Sequence, residues 1–320
     1  MNRIIAFDYL RAIAIVGIVL CHFCYNFSET NWLGGWCGGT FNALFLTMSG
    51  LLLGMAWNKK GRPSYGFDFL KHRFGRLSWV YYPFLVLMFA FCLAVGGYHI
   101  GIKDVVMHFA YLPWFDKLDG FGHLWFMSMI AFCYLAVVPV SRLKKLIRGG
   151  NSWKYGLLIA VAILLQVVVS SKGLPGYMFT YLALFVIMFD KAPGIVEWCG
   201  KRQTIGVLLG VAVIACTLIC YYCDWHEGND VIAKLLGIAA AMACLCIAMV
   251  IFRSVKESKV VSFVANISFE IYLVHHVFAF GRFSVMNLTD SWLLGFLLLM
   301  TISVAGGYAL NKVTSIKLTK

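Results

Sequence analysis

An all-α polytopic transmembrane helical bundle of about ten spans, with both termini cytoplasmic, is the fold the sequence predicts, and three observations predict it. Hydrophobic residues make up 61% of the 320 positions and charged residues only 13%, against roughly 25% charged in an ordinary soluble domain. The apolar residues fall into runs, and a bilayer-crossing helix needs roughly 20 mainly apolar residues. The basic residues are shared unevenly between the two sets of loops that those runs define, as the positive-inside rule requires.

The runs lie near 6–26, 40–57, 79–97, 122–140, 154–171, 175–189, 204–223, 231–252, 262–281 and 291–310. The first contains Asp8 and Arg11 and is followed by no small-residue cleavage pattern, so it reads as a span and not as a cleavable signal peptide. Gly50 and Gly54 in the second run, and Gly206 and Gly210 in the seventh, have the spacing of closely packed helix faces. The longest outer loop, about residues 98–121, holds Asp104, Asp116 and Asp119 among the aromatics Tyr111, Trp114 and Phe115, and reads as an amphipathic or re-entrant segment. Only residues 171–175 separate the fifth run from the sixth, and the ninth carries Glu270, His275 and His276.

Alternating the runs across the bilayer puts 21 of the 27 Lys and Arg residues on the side of the termini, and five (Lys103, Lys117, Lys172, Lys234, Arg282) on the other. That bias accounts for the net charge of +13 and removes a nucleic-acid partner from consideration. The 11 cysteines lie mostly in apolar runs and read as small hydrophobes. The CxxC pairs Cys21/Cys24 and Cys220/Cys223 have no polar four-ligand set around them, so no metal site is expected.

The informative residues are the polar ones that should not be in lipid, because such groups face protein or water and mark function. Arg11 and His22 are eleven residues apart in the first run, which puts them on one helix face and about 16 Å apart along the axis. Asp8 stands three residues before Arg11, within reach of an ion pair. His123 opens the fourth run. Asn266, Ser268, Glu270, His275 and His276 crowd the ninth, where Glu270 and His275 point in different directions. The cytoplasmic stretch Phe67 to Arg76 is basic and aromatic, and its Lys71, Arg73 and Arg76 suit a phosphate clamp presented to the cytoplasm. On residues alone, a membrane enzyme stands level with a transporter or flippase using an intramembrane His/Arg/Glu pathway, although the lack of an internal repeat speaks mildly against the latter. A non-enzymatic membrane scaffold is the third reading.

The whole constellation resembles the acyltransferase 3 family of integral membrane O-acyltransferases, of the bacterial surface-sugar O-acetyltransferase type. The matching residues run in family order: Arg11 and His22, Ser49-Gly50, Arg73 and Arg76 with Leu77 and Tyr81, Gly122 to Phe126 with Ser128 and Tyr134, and Ser268 with Ile271 to Leu273 and His275. Trp79 stands where many members have proline, and Ile130 where many have glutamate. The resemblance implies one acyltransferase-3-like membrane domain over residues 1–320, without the fused hydrolase-like domain that many members carry, in the bacterial cytoplasmic (inner) membrane. It implies acyl-CoA, usually acetyl-CoA, as donor, and a glycan or lipid-linked sugar hydroxyl as acceptor, with membrane lipids around it and a homodimer left open. Under that resemblance Lys71, Arg73 and Arg76 hold the CoA phosphates and Arg11 holds the donor deeper in. His22 is then a general base or an acyl carrier. Tyr272, Ser268 and His123 are expected as oxyanion donors, Glu270 or Asp8 as orienting carboxylates, and His275 as a proton shuttle or sugar ligand.

Overall fold

The computed structural model describes residues 4–95, 100–115, 118, 120–146, 153–173, 176–201 and 203–315. Arg3, Asp116, Lys117, Asp119, Arg148, Arg202, Lys317 and Lys320, Leu174 and Pro175 between the fifth and sixth runs, and positions 96–97 of the third run, lie outside the described residues. Twelve α-helices follow one another: α1 (Ile5–Cys24), α2 (Asn31–Lys59), α3 (Phe67–Val95), α4 (Ile102–Phe109), α5 (Trp125–Leu146), α6 (Trp153–Ser170), α7 (Met178–Lys201), α8 (Gln203–Tyr222), α9 (Asp230–Ile251), α10 (Lys259–Asn266), α11 (Ser268–Ala279) and α12 (Trp292–Ser315). Among the described residues there is no strand. Among the described residues nine helices are long and apolar enough to cross a membrane, and α10 with α11 makes a tenth if the bent pair is one span. A multi-pass helical membrane protein is therefore what the chain forms, since only helices and closed barrels satisfy their backbone inside lipid.

Several elements differ from the hydrophobic runs in length. The sixth run stops at the charged pair Asp190-Lys191, yet α7 continues through it to Lys201. The Tyr155 hydroxyl donates to Asp190 Oδ2, and the Lys191 ammonium lies 4.6 Å from the centre of the Tyr155 ring. One tyrosine of α6 thus contacts both charged residues. The ninth run is bent by 69° between α10 and α11. The Ser258 side chain caps α10 by accepting from Val261 N–H, and at the bend Ser268 Oγ donates to Ala265 O at 2.9 Å.

Helix α2 is the hub, packed against α1, α7 and α9. Its glycines set the approach distance: a Cβ on Gly54 would lie 2.0 Å from Phe189 O of α7. Likewise a Cβ on Gly237 of α9 would lie 2.7 Å from the carbonyl carbon of Gly39. Close backbone approach of this kind is how helices associate where lipid removes the hydrophobic driving force.

The described part of the outer loop packs back against α3. Buried His108 on α4 lies against Phe89, ring centres 5.6 Å apart. The chain then descends to Tyr111, whose hydroxyl is 2.7 Å from Ser78 Oγ, roughly 25 Å along α3 from its outer end. Tyr111 adopts a left-handed φ of +61°, costing about 1–2 kcal/mol for a residue with a Cβ, and buried contacts with Tyr81 and Phe74 hold it there. The chain returns outward to Trp114, stacked on Tyr177 at 4.9 Å.

Candidate active site

Helices α1 and α11 and the start of α5 bring four histidines together. The ring of His22 lies 4.9 Å from that of His275 and 4.7 Å from that of His276. His123 stacks on His276 at 4.5 Å. His22 Nδ1 is 3.0 Å from His275 Nε2 and 3.0 Å from Ile18 O. His275 Nδ1 is 2.7 Å from Tyr272 O, His276 Nδ1 is 2.9 Å from Gly120 O, and His123 Nε2 is 3.0 Å from Leu273 O.

Carbonyl oxygens only accept, so these contacts assign the tautomers of the neutral rings. His275 and His276 carry their protons on Nδ1, and His123 carries its proton on Nε2. His275 Nε2 is then an acceptor, and His22 Nδ1–H donates between it and Ile18 O. The consequence is chemical: the basic lone pair of His22 is on Nε2. His22 is the only half-buried member of a cluster whose other three rings are buried, and it also lines a cavity of about 380 Å³ toward the outer side, with Trp125, Tyr177, His226 and Lys234. Those four rings do not form a metal-binding group among the described residues.

The three expected oxyanion donors have their protons committed. The Tyr272 hydroxyl donates to His123 O, Ser268 Oγ to Ala265 O, and His123 Nε2 to Leu273 O. Ser268 also sits seven residues before His275, about 10 Å lower on α11. The buried hydroxyl of Tyr81 has no hydrogen-bond partner among the described residues, and it interacts electrostatically with Tyr272.

On the cytoplasmic side a second cavity of about 810 Å³ is lined by α3, α11 and α12, including Lys71, His72, Arg76, Trp79, Glu270 and Asn311. Glu270 accepts from Asn311 Nδ2 at 2.7 Å. It stands five residues, about 7.5 Å of helix, from His275, so α11 bridges the inner cavity and the histidine cluster. The expected three-residue clamp is split. Lys71 and Arg76 line the cavity, but Arg73, about 60° round α3 from Arg76, places its guanidinium 5.7 Å over Phe69 and 5.9 Å over Tyr134 of α5. Arg11 is not among the lining residues of this cavity; its guanidinium pairs with Asp8 at 3.9 Å, and Asp8 is thereby placed at the cytoplasmic end of α1, away from the histidines.

Sequence reasoning did not place His276 in the site, because neighbouring residues on a helix point about 100° apart and one of them is expected to face away. Here α1 and the Gly120 to Leu124 turn enclose α11 on both sides, so both rings are held. It also left Lys234, Trp125, Tyr177 and Asn42 out of the site, since an outer lysine and interfacial aromatics read as ordinary boundary residues. Tyr177 lies just before α7; burial pushes its phenol up, and the Asp230 carboxylate adds to that, so it stays protonated in the outer cavity.

Comparison with known proteins adds the remaining link. No curated protein and no solved structure matches the chain. A family model of the acyltransferase 3 type, described as an acyltransferase domain, matches residues 4–312. That span contains all four histidines, the whole lining of the outer cavity and the inner cavity's lining except Thr314 and Ser315, and it supports a membrane acyltransferase over the transporter and scaffold readings. The chain belongs to the acyltransferase 3 family of membrane acyltransferases.

Proposed function

We propose that this acyltransferase moves an acyl group, acetyl first among the candidates, from cytoplasmic acyl-CoA to a hydroxyl of a surface glycan or lipid-linked sugar at the outer face of a bacterial inner membrane. The single observation that carries the reading is His22: its Nδ1–H is held by Ile18 O and His275 while its ring borders the outer cavity. A lone pair fixed in that way is what a general base needs.

In this reading the acyl-CoA phosphates rest against Lys71 and Arg76, and the pantetheine arm runs inward past Glu270, whose carboxylate accepts from an amide N–H. The inner cavity's about 810 Å³ falls within the roughly 300–1,000 Å³ of small-molecule sites. The acceptor hydroxyl enters from the outer cavity and meets His22 Nε2. As its oxygen attacks the thioester carbonyl carbon, the proton passes to Nε2, and the resulting imidazolium is stabilised by two acceptors at Nδ1. Tyr81 supplies the hydroxyl whose proton is free for the developing oxyanion. Collapse breaks the C–S bond, the ester stays on the acceptor, and the CoA thiolate takes the proton back.

The test is transfer of label from radiolabelled acetyl-CoA to a glycolipid extract of the host envelope, by purified wild type and His22→Ala. Transfer by wild type alone supports the reading, with a loss of about 10²–10⁴-fold expected for a missing general base. Equal activity in folded His22→Ala removes His22 from the chemistry. Label trapped on wild-type protein without acceptor would replace the general base by an acyl-histidine.

A further inference from the structure

The outer cavity contains a charge that the acyl-transfer chemistry does not use. Lys234 lies one turn inside α9, half-buried, on the wall that it shares with His22. Among the described residues its ammonium has neither an ion pair nor a hydrogen bond. Its position makes that notable on two counts. A helix N-terminus carries the positive end of the helix dipole, so a cation there is disfavoured. Asp230 stands four residues earlier, the favourable order for an intrahelical acid–base pair, and the lysine does not take it. The Asp230 carboxylate is exposed at the rim and acts on Lys234 only at longer range. It has its own explanation as the first residue of a helix capped by Asn229.

Lys234 reaches across the cavity instead, 5.0 Å above the ring of Tyr177. A cation–π contact recovers only part of the hydration that a partly buried ammonium loses. Besides Tyr177, the cavity that holds it is lined by Trp125, Tyr181, Tyr221, the rim carboxylate of Asp230 and His226, and His226 Nδ1 is buried without a partner among the described residues. Trp125 meets Tyr177 at a right angle, ring centres 5.2 Å apart, so the cavity presents an aromatic corner, a cation held only by a ring face and an unfilled histidine nitrogen, all beside the proposed base.

We propose that this outer cavity is an anion-reading acceptor subsite. A sugar packs into the corner that Trp125 and Tyr177 form, and a carboxylate or phosphate substituent pairs with Lys234 while a hydroxyl of the same sugar meets His22. This inference rests on the acyl-transfer reading for what the bound sugar then does, but the binding itself needs no acyl donor.

The test is equilibrium dialysis of the full-length protein in lipid nanodiscs against 4-nitrophenyl β-glucoside, its 6-phosphate and 4-nitrophenyl β-glucuronide. Wild type is expected to bind at least one anionic probe ten-fold or more tighter than the neutral glucoside, and the tighter of the two identifies carboxylate or phosphate. Lys234→Gln should reduce the preference below two-fold, and Lys234→Arg should keep it above three-fold. Unchanged affinity of Lys234→Gln for radiolabelled CoA shows that this variant is folded. Equal binding of all three probes, binding of none, or a preference that survives in Lys234→Gln overturns the proposal. CoA binding by wild type is read in parallel. Its absence together with an intact anion preference sinks the acyl-transfer reading and leaves the subsite standing, and the reverse pattern sinks the subsite alone.

Discussion

His275 touches no reacting atom in the proposed mechanism, so its substitution tests the tautomer argument directly. His22 Nδ1 has two acceptors, His275 Nε2 and Ile18 O, each at 3.0 Å. During transfer His22 becomes an imidazolium, and a hydrogen bond to a charged group contributes about 1.5–3 kcal/mol. Removing one of them would slow the reaction by about 10- to 150-fold at 1.36 kcal/mol per factor of ten. Ile18 O remains in place and takes the proton more directly, so His275→Leu should fall at the lower end, with kcat reduced about 10- to 40-fold. The acceptor KM should change little, because His275 is fully buried behind His22 and is not part of the outer cavity lining. The assay is CoA thiol release at saturating acetyl-CoA with the envelope glycolipid extract. His275→Gln, which can return an acceptor oxygen to Nδ1–H, should recover part of the loss. A kcat within two-fold of wild type in folded His275→Leu, or a raised KM with kcat intact, would refute the reasoning.

Other expectations follow from the same geometry. Lys71→Ala and Arg76→Ala should raise the KM for acetyl-CoA by about ten-fold each, in line with roughly 1.5–3 kcal/mol for a charged hydrogen bond, with less effect on kcat. Arg73→Ala should disturb donor affinity less, because its guanidinium lies over Phe69 and Tyr134; steady-state kinetics of the three variants decide it. Gly54→Val should lower the melting temperature of the purified protein, since its Cβ would lie 2.0 Å from Phe189 O and overpacking costs about 1–3 kcal/mol or more. An unchanged melting curve would mean that α2 and α7 are not locked at this point.

Helix count was legible in the sequence because it rests on a one-dimensional quantity, as does the expectation of side. A run of about 20 apolar residues is required by bilayer thickness, and the loop bias of Lys and Arg can be counted without knowing any contact. What failed were the edges that depend on a partner. Asp190 stops a hydropathy reading, and a hydrogen bond from Tyr155 on a neighbouring helix helps α7 to pass through it. The polar residues of the ninth run signalled a special helix, but not its 69° bend.

The sequence by itself determined a helical membrane protein with His22 and Arg11 on one face of α1, since helical periodicity fixes which residues of a single helix look the same way; acyl transfer came from the family resemblance. The sequence also separated Glu270 from His275 by the same arithmetic. Tertiary structure alone decided which faces meet. It enclosed α11 so that His276 joined the cluster, turned His22 Nδ1 toward His275, divided Arg73 from Arg76, and placed Lys234 over Tyr177 beside the base. The physical reason is that a residue's neighbours across helices depend on helix rotation and crossing. These are set by small-residue contacts such as Gly54 against Phe189, which no single helix encodes.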